Sequence, residues 1–104
     1  VDFNLSATTV PTLPSGGVEV PAASIFTVPI VDPPTGLNTV IVDFPSTAGR
    51  TYYIQYRDSA ASAYTTSFPP VHSDSTFTRW VDFGAPRTIS VPTGARSYRV
   101  LEFQ

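Results

Sequence analysis

The amino-acid sequence predicts an all-β protein, an antiparallel sandwich of about seven strands. Eleven prolines are spread along the 104 residues, and they leave few windows long enough for a stable helix. The stretches between the prolines are rich in Val, Ile, Thr, Tyr and Phe, which are enriched in strands. Turn-forming residues separate these stretches at short intervals, as is typical of sandwiches and small barrels.

The expected strands are short and follow one another without a helix between them. Strands are expected at residues 18–20, 24–31, 38–44, 51–57, 64–68, 76–83, 87–91 and 97–103. Pro, Gly and Ser clusters at residues 33–36, 46–49 and 92–94 supply the turns. Residues 1–17 contain Thr, Ser, Pro and a Gly-Gly pair and are interpreted as a linker. The sandwich domain is therefore assigned to residues 18–104.

Alternation along the strands predicts which side chains face the core, because successive strand residues point to opposite faces. The inward set expected from the third and fourth stretches is Val40, Val42, Phe44, Tyr52, Ile54 and Tyr56. The last stretch is less regular. Tyr98 and Val100 share one side, whereas Leu101 and Phe103 lie on the side of Arg99. This pattern predicts either a bulge or a sheet covered on both faces near that end.

Charge and composition exclude several classes of partner. The net charge is −2, only 13% of residues are charged, and lysine is absent, so nucleic acid is not an expected partner. No run approaches the roughly 20 apolar residues that cross a bilayer, so membrane insertion is not expected. There is no cysteine, which excludes disulfides and thiolate metal sites. The high content of Pro, Ser and Thr and the scarcity of charge favour a secreted or cell-surface protein.

The chain does not begin with Met, and we expect it to start after processing or to be a piece of a longer protein. Three functions are considered. The first is a structural or interaction module, acting as a spacer or adhesion unit. The second is a carbohydrate-binding module, and the third is a phage or viral surface or tail domain. A monomer is expected in dilute solution, because prolines near the first strands and scattered arginines discourage open-ended strand pairing.

A family resemblance is carried by residues 45–59, PSTAGRTYYIQYRDS. This run resembles the central strands of fibronectin type III domains, where an aromatic-x-aliphatic-x-Tyr strand follows a strand of alternating apolar residues. Residues 38–58 and 95–100 also resemble sandwich modules near the carboxyl ends of large exported bacterial proteins. The resemblance implies an immunoglobulin-like (fibronectin type III-like) sandwich. The linker-like start, the missing initiator methionine and the lack of catalytic groups favour a non-catalytic module, and neighbouring domains of the parent protein are its expected partners.

No residue is assigned to catalysis, to a cofactor or to a metal. The single histidine, His72, is followed by Ser73 and Asp74, but adjacent residues on an extended chain diverge and do not form a catalytic triad. His72 is therefore interpreted as a surface loop residue. The eight acidic residues lie singly along the sequence, and Asp58 and Asp74 are typical of turns.

Aromatic side chains are the remaining signal for a ligand. The residues whose inward placement the pattern does not establish are Tyr53, Tyr64, Phe68 and Trp80. An exposed row of such rings would stack on sugars, so these four are the candidate ligand contacts and a glycan is the candidate ligand. Phe77 and Trp80 are three residues apart and cannot both point inward from a regular strand. We favour Trp80 as the core residue of the two.

Overall fold

The structure is a computed structural model that describes residues 16–104. These residues form eight strands, and a single 3-10 turn, Ala22–Ser24, follows the first of them. The strands are β1 (Val18–Glu19), β2 (Phe26–Val31), β3 (Asn38–Pro45), β4 (Thr51–Arg57), β5 (Thr65–Thr66), β6 (Val71–His72), β7 (Phe77–Asp82) and β8 (Ser97–Phe103).

The strands are arranged in two antiparallel sheets, which confirms the prediction of an all-β sandwich. The larger sheet has the order β1-β8-β4-β5, and β6 also pairs with β4. The smaller sheet has the order β2-β3-β7. Strands β3 and β4 are joined by a short turn yet belong to different sheets, so the chain crosses from one layer to the other at this turn.

The core lies between the two sheets, and the predicted alternation places it correctly. All six residues expected to point inward from β3 and β4 are buried. Five of them, all but Tyr56, form one hydrophobic cluster with Val20, Trp80 of β7 and Val100 of β8. The Phe44 and Tyr52 rings meet across the layers with centroids 5.2 Å apart, which adds aromatic packing to the burial of apolar area.

The last strand, β8, is regular, and the outer face of its sheet is covered at one end. Its register with β4 runs without interruption from the pair Thr51–Phe103 to the pair Arg57–Ser97. Phe103 is buried on the outer face, where its ring packs edge-on against Tyr53. A β-carbon on Gly17 would overlap the Phe103 ring, so the glycine lets the backbone pass directly over it. Of the two alternatives, the structure shows the covered face and not the bulge.

The strand expected at residues 87–91 is absent from the described fold, and this prediction was wrong. The backbone N–H groups of Arg87 and Thr88 both donate to Gly84 O, at 3.0 and 3.1 Å. These bonds close a local turn in place of a sheet ladder. Ile89 is exposed, so the β-branched residues of this segment are not packed as a strand.

Other boundaries also differ from the prediction. Val71–His72 forms the short strand β6 against Thr51 and Tyr52, although two preceding prolines indicated a loop. The stretch 64–68 contributes only Thr65–Thr66, and the stretch 24–31 begins its strand at Phe26. Of the predicted linker, residues 1–15 lie outside the described residues.

Candidate binding surfaces

The structure does not bring the four candidate aromatic residues together. Trp80 is 3% exposed and belongs to the core, while Phe77, three residues earlier, is exposed. Tyr53 lies on the outer face of the larger sheet, where the register also places Leu101. Phe68 is 49% exposed and lies between β5 and β6. A ligand role for Tyr53, Tyr64 and Phe68 stays a prediction.

Tyr64 lies against two guanidinium groups on the outer face of the larger sheet. Arg99 Cζ is 4.1 Å from the centroid of its ring, and Arg57 Cζ is 4.4 Å from it. Arg99 also donates from Nε to Gln55 Oε1 at 2.7 Å. Gln55 Nε2 in turn donates to Thr66 Oγ1 at 3.0 Å. We call the five residues Arg57, Arg99, Tyr64, Gln55 and Thr66 the arginine cluster.

The β4–β8 register brings this cluster together. Gln55 lies opposite Arg99, and Arg57 lies opposite Ser97, two residue pairs further along. Thr66 of β5 pairs with Gln55 from the other side. Because the two arginines come from strands about 40 residues apart in sequence, inspection of the sequence alone did not detect their convergence.

The outer face of the smaller sheet is apolar and largely exposed. Phe26 and Phe77 are 66% and 54% exposed, and Val28 and Ile30 are also exposed. The register places Ile41 and Val81 beside them on this outer side. We call Phe26, Val28, Ile30, Ile41, Phe77 and Val81 the apolar face. The sequence pattern predicts strands in these stretches, but it does not predict that one face of their sheet is left uncovered.

One ion pair lies within the apolar face. Arg79 donates from Nε and Nη2 to the two carboxylate oxygens of Asp43, both at 2.9 Å. These hydrogen bonds and the positive charge lower the pKa of Asp43. The pair neutralises both charges, so the face as a whole carries no net charge from these two residues.

A buried polar network joins the end of β7 to the start of β8. Asp82 is fully buried, and it accepts hydrogen bonds from the Tyr98 hydroxyl at 2.6 Å and the Thr88 hydroxyl at 2.6 Å. Arg96 Nη1 lies 3.1 Å from the same carboxylate. On its other side, Arg96 donates from Nε to Asp58 at 2.8 Å.

Burial and charge shift the titration of this network. Burial, reinforced by the hydrogen bond to Asp82, raises the pKa of the Tyr98 hydroxyl. The hydrogen bond from Arg96 lowers the pKa of Asp58. Each charged group of the network is bonded to a partner, as structural ion networks require. The network therefore fits a structural role better than a catalytic one.

The segment containing the only histidine includes β6, which pairs with β4. His72 is exposed, and its Nδ1 lies 3.3 Å from Thr51 Oγ1 across the β4–β6 pair. The Ser73 hydroxyl is bonded to Ser46 and to the backbone of Ser75. Within residues 16–104 there is no group of three or more acidic, His or Cys side chains that could hold a metal ion.

Two further findings concern the chain as a whole. In the part of the chain that the structure describes, no helix is long and apolar enough to cross a membrane. Comparison with known proteins gives no match to a family model, to a curated protein or to a solved structure.

Proposed function

We propose that this protein is a non-catalytic interaction module of a secreted or cell-surface protein. Its apolar face would dock against a neighbouring domain of the same parent protein. The observation that carries the proposal is the exposure of the apolar face. Contiguous exposed apolar side chains on a folded domain commonly mark a protein–protein contact.

The edge strand of this sheet strengthens the proposal. All six residues of β2 are exposed, including Thr27 and Pro29 on the side that faces the larger sheet. The strand therefore projects beyond the cover of the larger sheet. A partner that contacts the apolar face would also reach over this edge and add to the buried area.

The chemistry of the face fits a protein partner. Phe26 and Phe77 line one groove together with Asp43, and aromatic residues with an occasional arginine are enriched in interface cores. Since Arg79 already pairs with Asp43, the partner need not supply a counter-charge. A partner with an apolar surface of its own is therefore the expected complement.

Hydroxyl-radical footprinting tests this proposal in the parent protein. Side-chain labelling is compared between the isolated module and the intact protein in its native location. Phe26 and Phe77 should be protected in the intact protein because the partner covers them. Ile89 is a matched control, because it is 76% exposed and lies outside the apolar face.

Substitution gives a second measurement of the same contact. Phe26→Ser with Phe77→Ser should leave the fold intact, because both rings are exposed, and should abolish the protection of Val28. Ile89→Ser should leave that protection unchanged. Equal labelling of Phe26 and Phe77 in the isolated and intact forms would overturn the proposal.

A further inference from the structure

The arginine cluster contains two cations that have no acidic partner within residues 16–104. Arg50, Arg79 and Arg96 each form an ion pair with a carboxylate. Arg57, Arg87 and Arg99 form none among the described residues, although the protein as a whole is acidic. Arg87 lies outside the arginine cluster and donates from Nη1 to the Val81 carbonyl at 2.7 Å. Two positive charges are therefore concentrated on one face of a negatively charged molecule.

Both guanidinium groups are held in place before any ligand arrives. Arg99 is fixed by its bond to Gln55 and by contact with the Tyr64 ring. Arg57 lies against the same ring, and its Nε is buried with no hydrogen-bond partner among the described residues. Packing thus holds Arg57 in position, and such preorganisation lowers the entropy lost when a ligand binds.

The donors that remain suit an oxyanion. Arg99 uses Nε within the cluster, and among residues 16–104 the Nη groups of both arginines have no acceptor. A guanidinium binds a carboxylate or a sulfate through two parallel hydrogen bonds. Glu19 is on the same face, opposite Leu101, but forms no ion pair with either arginine in the described structure.

We infer that the arginine cluster binds an acidic polysaccharide through its carboxylate or sulfate groups. The position of β4 favours a glycan over a peptide. Strand β4 pairs with β8 along Thr51–Arg57. On its other side it pairs with β6 at Thr51 and Tyr52 and with β5 at Gln55 and Tyr56. Peptides that add a strand need an open sheet edge, whereas this face offers side chains alone.

Neighbouring groups suit a sugar chain. The register places Ser97, which is exposed, opposite Arg57, and the Tyr64 ring, which both arginines contact, carries a hydroxyl group. Hydroxyl groups of this kind can bond sugar hydroxyls beside the acidic group. Two cations are too few for nucleic acid, whose binding depends on neutralising many phosphates. This site lies on the sheet opposite the apolar face, so it does not depend on the contact proposed there.

Binding is tested by titration calorimetry with four polymers. Polygalacturonate supplies carboxylates, dextran sulfate supplies sulfates, neutral dextran is the uncharged control, and poly-glutamate supplies carboxylates on a peptide. We expect binding to polygalacturonate or dextran sulfate, weakening as salt is added because surface charges are screened. The polymer bound more tightly identifies the preferred oxyanion.

Substitutions assign the binding to the cluster. Arg57→Gln and Arg99→Gln should each weaken binding about tenfold, as loss of a charge-assisted hydrogen bond does. Arg99→Lys keeps the charge but not the paired donors. Its affinity should therefore lie between that of the wild type and that of Arg99→Gln. Arg79→Gln is the matched control on the opposite sheet and should bind as the wild type does. Circular dichroism confirms that each variant is folded.

Several outcomes would overturn the inference. They are no binding to either acidic polysaccharide, equal binding to neutral dextran, or binding to poly-glutamate as tight as to polygalacturonate. Unchanged affinity in a folded Arg57→Gln, Arg99→Gln double variant would also overturn it. So would an equal loss in Arg79→Gln, since the interaction would then depend on charge spread over the whole molecule.

Discussion

Trp80 is a large aromatic residue enclosed between the sheets, with its ring 6.1 Å from that of Tyr98. Trp80→Ala should lower the free energy of unfolding by about 3–5 kcal/mol, because it empties a core site. Urea unfolding followed by circular dichroism measures this change. Since Trp80 is the only tryptophan, a blue-shifted emission that no sugar alters is also expected. A red-shifted emission that responds to a glycan would contradict the core placement.

Adjacent residues of β4 provide a second test at this scale. Ile54 is fully buried, and Tyr53 is half-buried on the outer face. Ile54→Ala should cost roughly 2–5 kcal/mol of stability through the cavity that it leaves. Tyr53→Ala should cost less, because its side chain is only half-buried. Chemical denaturation of both variants measures the difference, and equal costs would show that the two faces of β4 are equally packed.

The burial of a side chain was predictable from the sequence where it depends only on the alternation of residues along a strand. The burial of Val42 and Ile54 follows directly from a period of two. The stacking of Arg57 and Arg99 on Tyr64 was not predictable in this way. It depends on the register between β4 and β8. That register is set when two strands that are distant in sequence pair with each other.

The segment between β7 and β8 is held by the Arg96 network more than by apolar packing. Arg96→Met should destabilise the protein by about 3–5 kcal/mol, because it leaves the buried Asp82 without its charge partner. Arg50→Met is the matched control. Its pair with Glu102 is partly exposed, and its loss should cost under about 1 kcal/mol.

Thermal and urea unfolding of the two arginine variants measure this difference. A cost at Arg96 no larger than that at Arg50 would show that the Tyr98 and Thr88 hydroxyls and the Gly84 N–H satisfy Asp82 without the arginine. In that case, the backbone turns of the segment would hold it in place without the ion pair.

The same network explains why this segment was mistaken for a strand. Residues 87–91 contain Thr, Ile and Val and match the strand pattern. The Thr88 hydroxyl instead bonds Asp82, and the Ile89 N–H donates to the Tyr56 hydroxyl at 2.8 Å. The Tyr56 side chain of β4 thus accepts from a backbone N–H that a sheet ladder would otherwise pair, and local propensity does not reveal this bond.

At the scale of the whole molecule, acid should weaken the fold. Arg79 and Arg96 lower the pKa values of Asp43 and Asp58 in the folded state. A carboxyl with a lowered pKa adds stability above its unfolded value, near 3.8, and that stability is lost as the pH falls through the folded value. Urea unfolding between pH 2 and 6, about the ordinary range of Asp titration, should show this loss. Asp58→Asn should reduce it, and an unchanged profile would contradict the role of Asp58.

Alkali should weaken the fold for the opposite reason. Burial raises the pKa values of Tyr98 and Tyr52 in the folded state. The stability that this supplies is present below the unfolded value, near 10, and is lost as the pH rises towards the folded values. Denaturation above about pH 10 measures the effect. Tyr98→Phe should flatten the decline, and a decline identical to that of the wild type would contradict this assignment.

The all-β class was predictable because proline spacing and β-branched residues act locally along the whole chain. The division of strands between the sheets was not, since β3 and β4 are adjacent in sequence yet lie in different layers. Turn-forming residues predict that the chain reverses direction. They do not predict which of the two sheets the next strand joins. For the same reason, the apolar face could not be identified until the sheets were assembled.

The pairing of Val18 with Glu102 has a consequence for the connectivity of the sandwich. Because β1 lies beside β8 at one edge of the larger sheet, the first and last strands of residues 16–104 are neighbours, and domains with neighbouring ends tolerate circular permutation. A circular permutant of residues 16–104 in which a short linker joins these two strands should therefore keep the sandwich.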